Sequence, residues 1–203
     1  MLNNKLVIYI HGKSGNAKEA EHYKPFFKEH DVIGFDYEIQ KPWKVKEELL
    51  NFYNLYSNKY ESIIIIANSI GAFFAMDSLS TKKINKAIFI SPIVNMEKLI
   101  KDMMALANVT ENELNSKKEI PTEFGETLSW EYLCYVRENP IKWNIPTYIL
   151  YGEKDNLTNK ETITEFVEKT EATFTEMKNG EHWFHTDEQM EFLDNWIKNI
   201  TNL

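Results

Sequence analysis

The chain has 203 residues, with 23 Lys and Arg against 31 Asp and Glu, and a formal net charge of −8. Nucleic acid needs a basic partner surface, so this balance argues against nucleic-acid binding and, more weakly, against binding to anionic membranes. With 43% apolar residues, a chain of this length makes one domain that buries roughly 70% of its unfolded surface, so it needs neither disulfide nor metal to fold.

The first apolar run, Leu6–Ile10, reads as a strand and is too short for a signal-peptide core or a membrane span. Asn16 caps a helix running to about His30, with Glu19 as its capping-box partner. Val32–Phe35 is the second strand, and Pro42 starts a helix through Leu49, Leu50, Tyr53 and Tyr56. Ile63–Ala67 is a strand, a further helix begins just after Ser69, and Ala87–Ser91 is a strand again. Between Pro92 and Pro146 no strand stands out. Helical patterns run through Met96–Asn108, Glu111–Lys118 and Glu126–Glu138, so 92–146 is expected to be a small helical cap inserted in a single domain spanning 1–203. Cys134 falls in this stretch. It is the sole cysteine, it cannot form an internal disulfide, and a cytoplasmic location is expected. Thr147–Tyr151 and Ala172–Met177 complete the strands, and Met190, Leu193, Ile197 and Ile200 form the apolar stripe of a last helix.

Runs such as Ile63-Ile64-Ile65-Ile66 are continuous rather than alternating, which marks strands buried on both faces. Strand–helix alternation of this kind predicts an α/β fold with a doubly wound, mostly parallel sheet of about six strands.

Four loops, each after a predicted strand, hold residues able to do chemistry. In Ala67-Asn68-Ser69-Ile70-Gly71, a serine sits between strand and helix with small residues two places either side, where it projects outward from the carboxyl edge of the sheet. By itself this pentapeptide also fits a serine capping a helix. In His11-Gly12-Lys13-Ser14-Gly15, a glycine-containing loop follows the first strand. It offers the Lys13 N–H, beside that of Ile70, for the negative charge that grows on a carbonyl oxygen in acyl transfer. A phosphate loop is the alternative, but the upstream glycine of a Walker sequence is missing. Asp155, after Thr147–Tyr151, can orient a histidine. His182, after the last strand, can carry the proton of Ser69. His185 competes with it but lies nearer the last helix, where Thr186 or Asp187 caps. Of the other histidines, His22 and His30 are expected at the surface of the first helix, and His11 is expected to brace its loop.

The order Ser, Asp, His is that of the α/β-hydrolase fold. The chain resembles that superfamily over nearly its whole length, and most of all its compact bacterial serine aminopeptidase and lysophospholipase-like members. The stretches Asn144-Ile145-Pro146-Thr147-Tyr148-Ile149-Leu150-Tyr151-Gly152-Glu153-Lys154-Asp155 and Gly180-Glu181-His182-Trp183-Phe184 carry the likeness. By this resemblance the first two strands of the full superfamily fold are expected to be lacking, since the loop it implies for the oxyanion already follows the first strand, and Ala67 stands where glycine is usual. The resemblance implies Ser69 as nucleophile, Asp155 as acid and His182 as base. The expected activity is a serine hydrolase, a carboxylesterase acting on a small neutral molecule, with no cofactor and no metal. A serine aminopeptidase or amidase, a thioesterase, and a non-catalytic binding protein with the same fold are the alternatives. The partner is a small-molecule substrate, with no nucleic acid and no membrane, and the oligomeric state is left open.

Overall fold

The computed structural model describes residues 4–38 and 41–201. It divides into two compact units. The larger runs to Val94 and resumes at Lys142; the smaller is Asn95–Ile141.

The larger unit is built on six strands: β1 (Lys5–Ile10), β2 (Asp31–Phe35), β3 (Ser62–Asn68), β4 (Lys86–Ile90), β7 (Thr147–Lys154) and β8 (Thr173–Glu181). They form one sheet in the order β2-β1-β3-β4-β7-β8, and every pair is parallel. Parallel strands need covered faces, and the burial follows that demand. Residues Leu6 to Ile10 of β1 and Ile63 to Ala67 of β3 are buried without interruption. Alternate side chains serve opposite faces. Val7, Tyr9, Ile64, Ile66, Ile88 and Ile90 join one core cluster with the 3₁₀ helix Ala17–Phe26 and with Leu193, Trp196 and Ile197 of α7 (Asp187–Thr201). The remaining helices of this unit are α1 (Pro42–Ser57), α2 (Ile70–Leu79) and α6 (Lys160–Thr170).

The first helix differs from expectation. It is a 3₁₀ helix that stops at Phe26 rather than reaching His30, and Pro25 lies inside its last turn. Proline cannot donate the next helical hydrogen bond, which accounts for the early stop. The capping box is formed as read: Asn16 accepts from Lys18 N–H, and Glu19 accepts from Asn16 N–H at 3.3 Å. His22 is half-buried and bonded to Asp194 at 2.8 Å, and His30 lies beyond the helix, so neither is a plain helix-surface residue.

The smaller unit holds α3 (Met96–Leu106), α4 (Glu111–Lys117) and α5 (Trp130–Glu138). It also contains two strands that its sequence does not announce. β5 (Glu119–Pro121) pairs antiparallel with β6 (Thr127–Ser129) around a turn with Gly125 at φ 86°. Each strand has three residues, too few to establish a period of two. Arg137 ties the helices together by bonding Glu97 at 2.9 Å and both carboxylate oxygens of Glu111. Among the described residues, no helix is long and apolar enough to cross a membrane.

Candidate active site

Ser69 is the single residue between β3 and α2, with φ 53° and ψ −121°. A left-handed backbone at a serine costs about 1–3 kcal/mol and persists only where the surroundings over-determine it. They do so here. Ser69 N–H donates to Ile90 O at 3.0 Å, and Ser69 O accepts from Ala72 and Ile93 N–H, each at 3.1 Å. Gly71 meets the need for a small residue on the helix side: a Cβ there would lie 2.5 Å from the carbonyl oxygens of both Ile10 and His11. The helix start thus packs directly against the chain leaving β1. On the strand side Ala67 is fully buried in β3, so the usual glycine is replaced at the cost of one accommodated methyl.

Ser69 Oγ lies 2.7 Å from Nε2 of His182, and His182 Nδ1 lies 2.7 Å from Oδ2 of Asp155. The Asp155 side chain is fully shielded from solvent and that of His182 is 13% exposed. Asp155 sits in a turn closed by its own N–H on Gly152 O at 2.9 Å. Its other oxygen, Oδ1, accepts from Leu157 N–H at 2.8 Å and Thr158 N–H at 2.9 Å. With one oxygen held by two backbone donors, Oδ2 is left facing the imidazole. A proton on Nδ1 then satisfies the carboxylate and leaves the Nε2 lone pair toward the serine hydroxyl. The ends of β7 and β8 approach closely because Gly152 and Gly180 lack side chains. A Cβ on Gly152 would meet Glu181 O at 2.5 Å. Burial and the Asp155 charge push the Tyr151 hydroxyl up to about 12, and as a neutral donor it holds Thr158 O at 3.0 Å.

The loop after β1 turns tightly, with Gly15 N–H on Gly12 O at 3.2 Å and Ser14 at φ 62°. His11 braces it: Nδ1–H donates to Gly12 O at 2.7 Å, and the ring stacks on Tyr37 at 4.1 Å. Gly12 brings the loop against Ser69, since a Cβ there would come within 3.3 Å of Ser69 Cβ. Lys13 lines the same concavity as Ser69. Ile70 is the first residue of α2, and the first four N–H groups of a helix have no partner inside it.

That concavity measures about 630 Å³, and all its lining residues belong to the larger unit. Met190, Leu193, Phe184 and Ile90 give it an apolar wall, and exposed Trp183 and Leu157 stand at its rim. Glu19 supplies a carboxylate, whose Oε2 accepts from Tyr9 OH at 2.5 Å. Burial, then Tyr23, then the bond to Glu19 hold the Tyr9 hydroxyl far above the ordinary tyrosine range, so it stays a donor. Sequence reasoning named Glu19 only as a helix cap and missed the Tyr9–Glu19 and His22–Asp194 pairs at this wall. The second pair joins residues 172 positions apart, which leaves no local signal.

His185 and Glu153, the acid two residues before Asp155, are engaged elsewhere. Glu153 accepts from Asn179 N–H at 2.8 Å on the exposed side. His185 bonds Trp183 O at 2.7 Å and stacks on the Trp183 ring, 4.3 Å between centroids, while Thr186 Oγ1 caps α7 through Gln189 N–H at 3.3 Å. Among the described residues, no group of three or more His, Cys, Asp or Glu side chains is placed to hold a metal ion.

Similar folds occur in proteins of distant sequence. Est1E from Butyrivibrio proteoclasticus superposes with a TM-score of 0.76 at 16% identity, covering 97% of this chain and 86% of that one. Alpha/beta hydrolase domain-containing protein 10 from mouse gives 0.75 at 17% identity, covering 97% and 89%. In sequence, 100 residues are 29% identical to a curated Mycoplasma genitalium protein named "Putative esterase/lipase 3". That match covers 43% of this chain and only 36% of the relative's length. No protein-family model matches the chain. The six-stranded parallel order, the helices around it and the likeness over nearly the whole chain give this protein the α/β-hydrolase fold.

Proposed function

We propose that the protein is a serine hydrolase that cleaves a carboxylic ester of a small neutral molecule. The observation that carries the reading is the hydrogen-bonded series Ser69 Oγ, His182, Asp155, with both links at 2.7 Å. In this reading, neutral His182 takes the proton of Ser69 as Oγ attacks the ester carbonyl, and it returns that proton to the departing alkoxide. Water, deprotonated by the same nitrogen, then releases the acid from the acyl-enzyme. Asp155 holds the imidazole in the Nδ1–H form and stabilises it while it is charged. The N–H groups of Ile70 and Lys13 receive the oxyanion. The apolar wall of Met190, Leu193 and Phe184 suits a short or medium acyl or alcohol group, each buried methylene contributing about 0.8 kcal/mol.

A second reading, cleavage of an aminoacyl amide, draws on the Glu19 carboxylate in the pocket wall, which has the charge to receive a substrate ammonium. One experiment serves both. A fluorophosphonate is expected to label Ser69, and Ser69→Ala is expected to lose labelling and turnover while keeping its fold. Comparing kcat/KM for p-nitrophenyl esters and aminoacyl p-nitroanilides then separates the two readings. Full esterase activity in Ser69→Ala would overturn both.

A further inference from the structure

The catalytic candidates follow the carboxyl ends of their strands. The opposite edge of the same sheet carries a second groove of about 680 Å³. Lys5, Ser62 and Lys86, the first residues of β1, β3 and β4, line it, together with Lys28 and His30 before β2 and Lys198 and Thr201 on the last turn of α7. Its floor is apolar, made by Phe26, Phe27, Ile64 and Ile88. Four lysines and a histidine thus face one lining carboxylate, Glu29, on a chain whose net charge is −8.

These cations are poorly neutralised. Lys5 pairs with Glu29 at 3.1 Å, both largely exposed. Among the described residues, no carboxylate pairs with Lys28, Lys86 or Lys198. Lys86 lies over the Tyr148 ring at 5.3 Å and reaches Ile200 O at 3.4 Å, and Lys198 lies over the Phe26 ring at 5.7 Å. Buried His30 Nδ1 has no hydrogen-bond partner among the described residues. Burial first, then Lys5 with Lys86 adding, holds His30 below the ordinary imidazole range against the opposing pull of Glu29. At the imidazole, two lysines thus act against a single carboxylate, Glu29.

We propose that this groove is a second binding site, for an amphipathic monoanion with a carboxylate head and an apolar chain. The lysines at the rim take the head and the Phe26, Phe27, Ile64, Ile88 floor takes the chain. Two features favour a carboxylate over a phosphate dianion. The lining contains no arginine to grip a phosphate by two bonds. It includes the carboxyl end of α7, whose carbonyl dipoles repel concentrated negative charge. The site does not depend on the chemistry at Ser69.

Octanoate is the probe, titrated into the full chain by calorimetry at low ionic strength. Octanoate is expected to bind, with acetate and 1-octanol each at least about tenfold weaker, since each lacks one half of the match. The double variant Lys86→Gln, Lys198→Gln is expected to weaken octanoate at least about tenfold and to leave hydrolysis of p-nitrophenyl acetate unchanged. In the unaltered protein, the ring signals of His30 are expected to shift during the titration, a readout that needs no variant. Absence of octanoate binding, acetate binding as tightly, an unchanged affinity in the double variant, or unmoved His30 signals would each overturn the proposal. None of these outcomes bears on fluorophosphonate labelling of Ser69.

Discussion

Replacing Asp155 by Asn tests the imidazole's role at the level of a single proton. The side chain is fully shielded, and its two oxygens have unequal duties: Oδ1 accepts from two backbone N–H groups and Oδ2 faces His182. An asparagine has one acceptor oxygen, and the Leu157 and Thr158 donors dictate that it occupy the Oδ1 position. Its NH₂ group then points at His182 Nδ1, which must become an acceptor, and the ring proton moves to Nε2. Nε2–H faces Ser69 Oγ and can no longer take its proton. Flipping the amide to restore the productive tautomer would leave two N–H groups without their acceptor, one exposed at Leu157 and one part-buried at Thr158, at about 1–3 kcal/mol for the part-buried one. That penalty suppresses the productive form by about 5-fold to 150-fold. Loss of the negative charge beside the imidazolium adds to it, so kcat for p-nitrophenyl acetate is expected to fall by about 10³–10⁴-fold. The packing is isosteric and the melting temperature is expected to change little. Nitrogen-15 shifts of His182 report the tautomer directly. A loss smaller than tenfold, or an unchanged Nδ1–H tautomer, would refute the reasoning.

Three further outcomes follow from the same geometry. Gly71→Ala forces a methyl to within 2.5 Å of two backbone oxygens that no side-chain rotation can move. It is expected to destabilise by about 1–3 kcal/mol and to lower kcat/KM by shifting the His11–Gly12 loop; unchanged melting and turnover would contradict that close approach. His185→Ala removes a ring held by Trp183 rather than by Ser69 or Asp155 and is expected to keep kcat within about threefold, whereas near-complete loss would transfer the base role to it. Ser69→Gly relieves the φ 53° backbone and is expected to be about 1 kcal/mol more stable than Ser69→Ala in thermal unfolding; equal stabilities would mean the turn holds no strain.

The six sheet strands were legible because both of their faces are buried, which writes long apolar runs into the chain. Their ends were less so. β7 and β8 continue to Lys154 and Glu181, beyond the apolar stretches ending at Tyr151 and Met177, because backbone pairing persists where the side chains turn polar. The β5–β6 hairpin escaped notice for a related reason: only Leu128 of its six residues is buried. Ser69, Asp155 and His182 were readable since each follows a strand closely and needs little else to be placed at one edge. The pocket wall was not readable. Glu19, His22 and Met190 each have an ordinary local explanation as cap, surface residue or helix stripe, and only the fold brings them to the same concavity.

The sheet order also explains why a third residue is needed to link Ser69 to the Asp155 carboxylate. Neighbouring strands lie about 4.8 Å apart. β4 stands between β3 and β7, so the turns carrying Ser69 and Asp155 start about 10 Å from one another, beyond the reach of a direct hydrogen bond. β4 is not idle in this arrangement, because its Ile90 carbonyl receives the Ser69 N–H and fixes the strained turn. The gap is closed from the outside. His182 leaves the end of β8, the edge strand, and its ring reaches back over the end of β7, presenting one nitrogen to each partner at 2.7 Å. A histidine is the side chain suited to that span, since its two nitrogens lie on opposite sides of a rigid ring and exchange donor and acceptor roles as the proton moves. Displacing either loop by one strand spacing would separate the pair by more than the imidazole bridges.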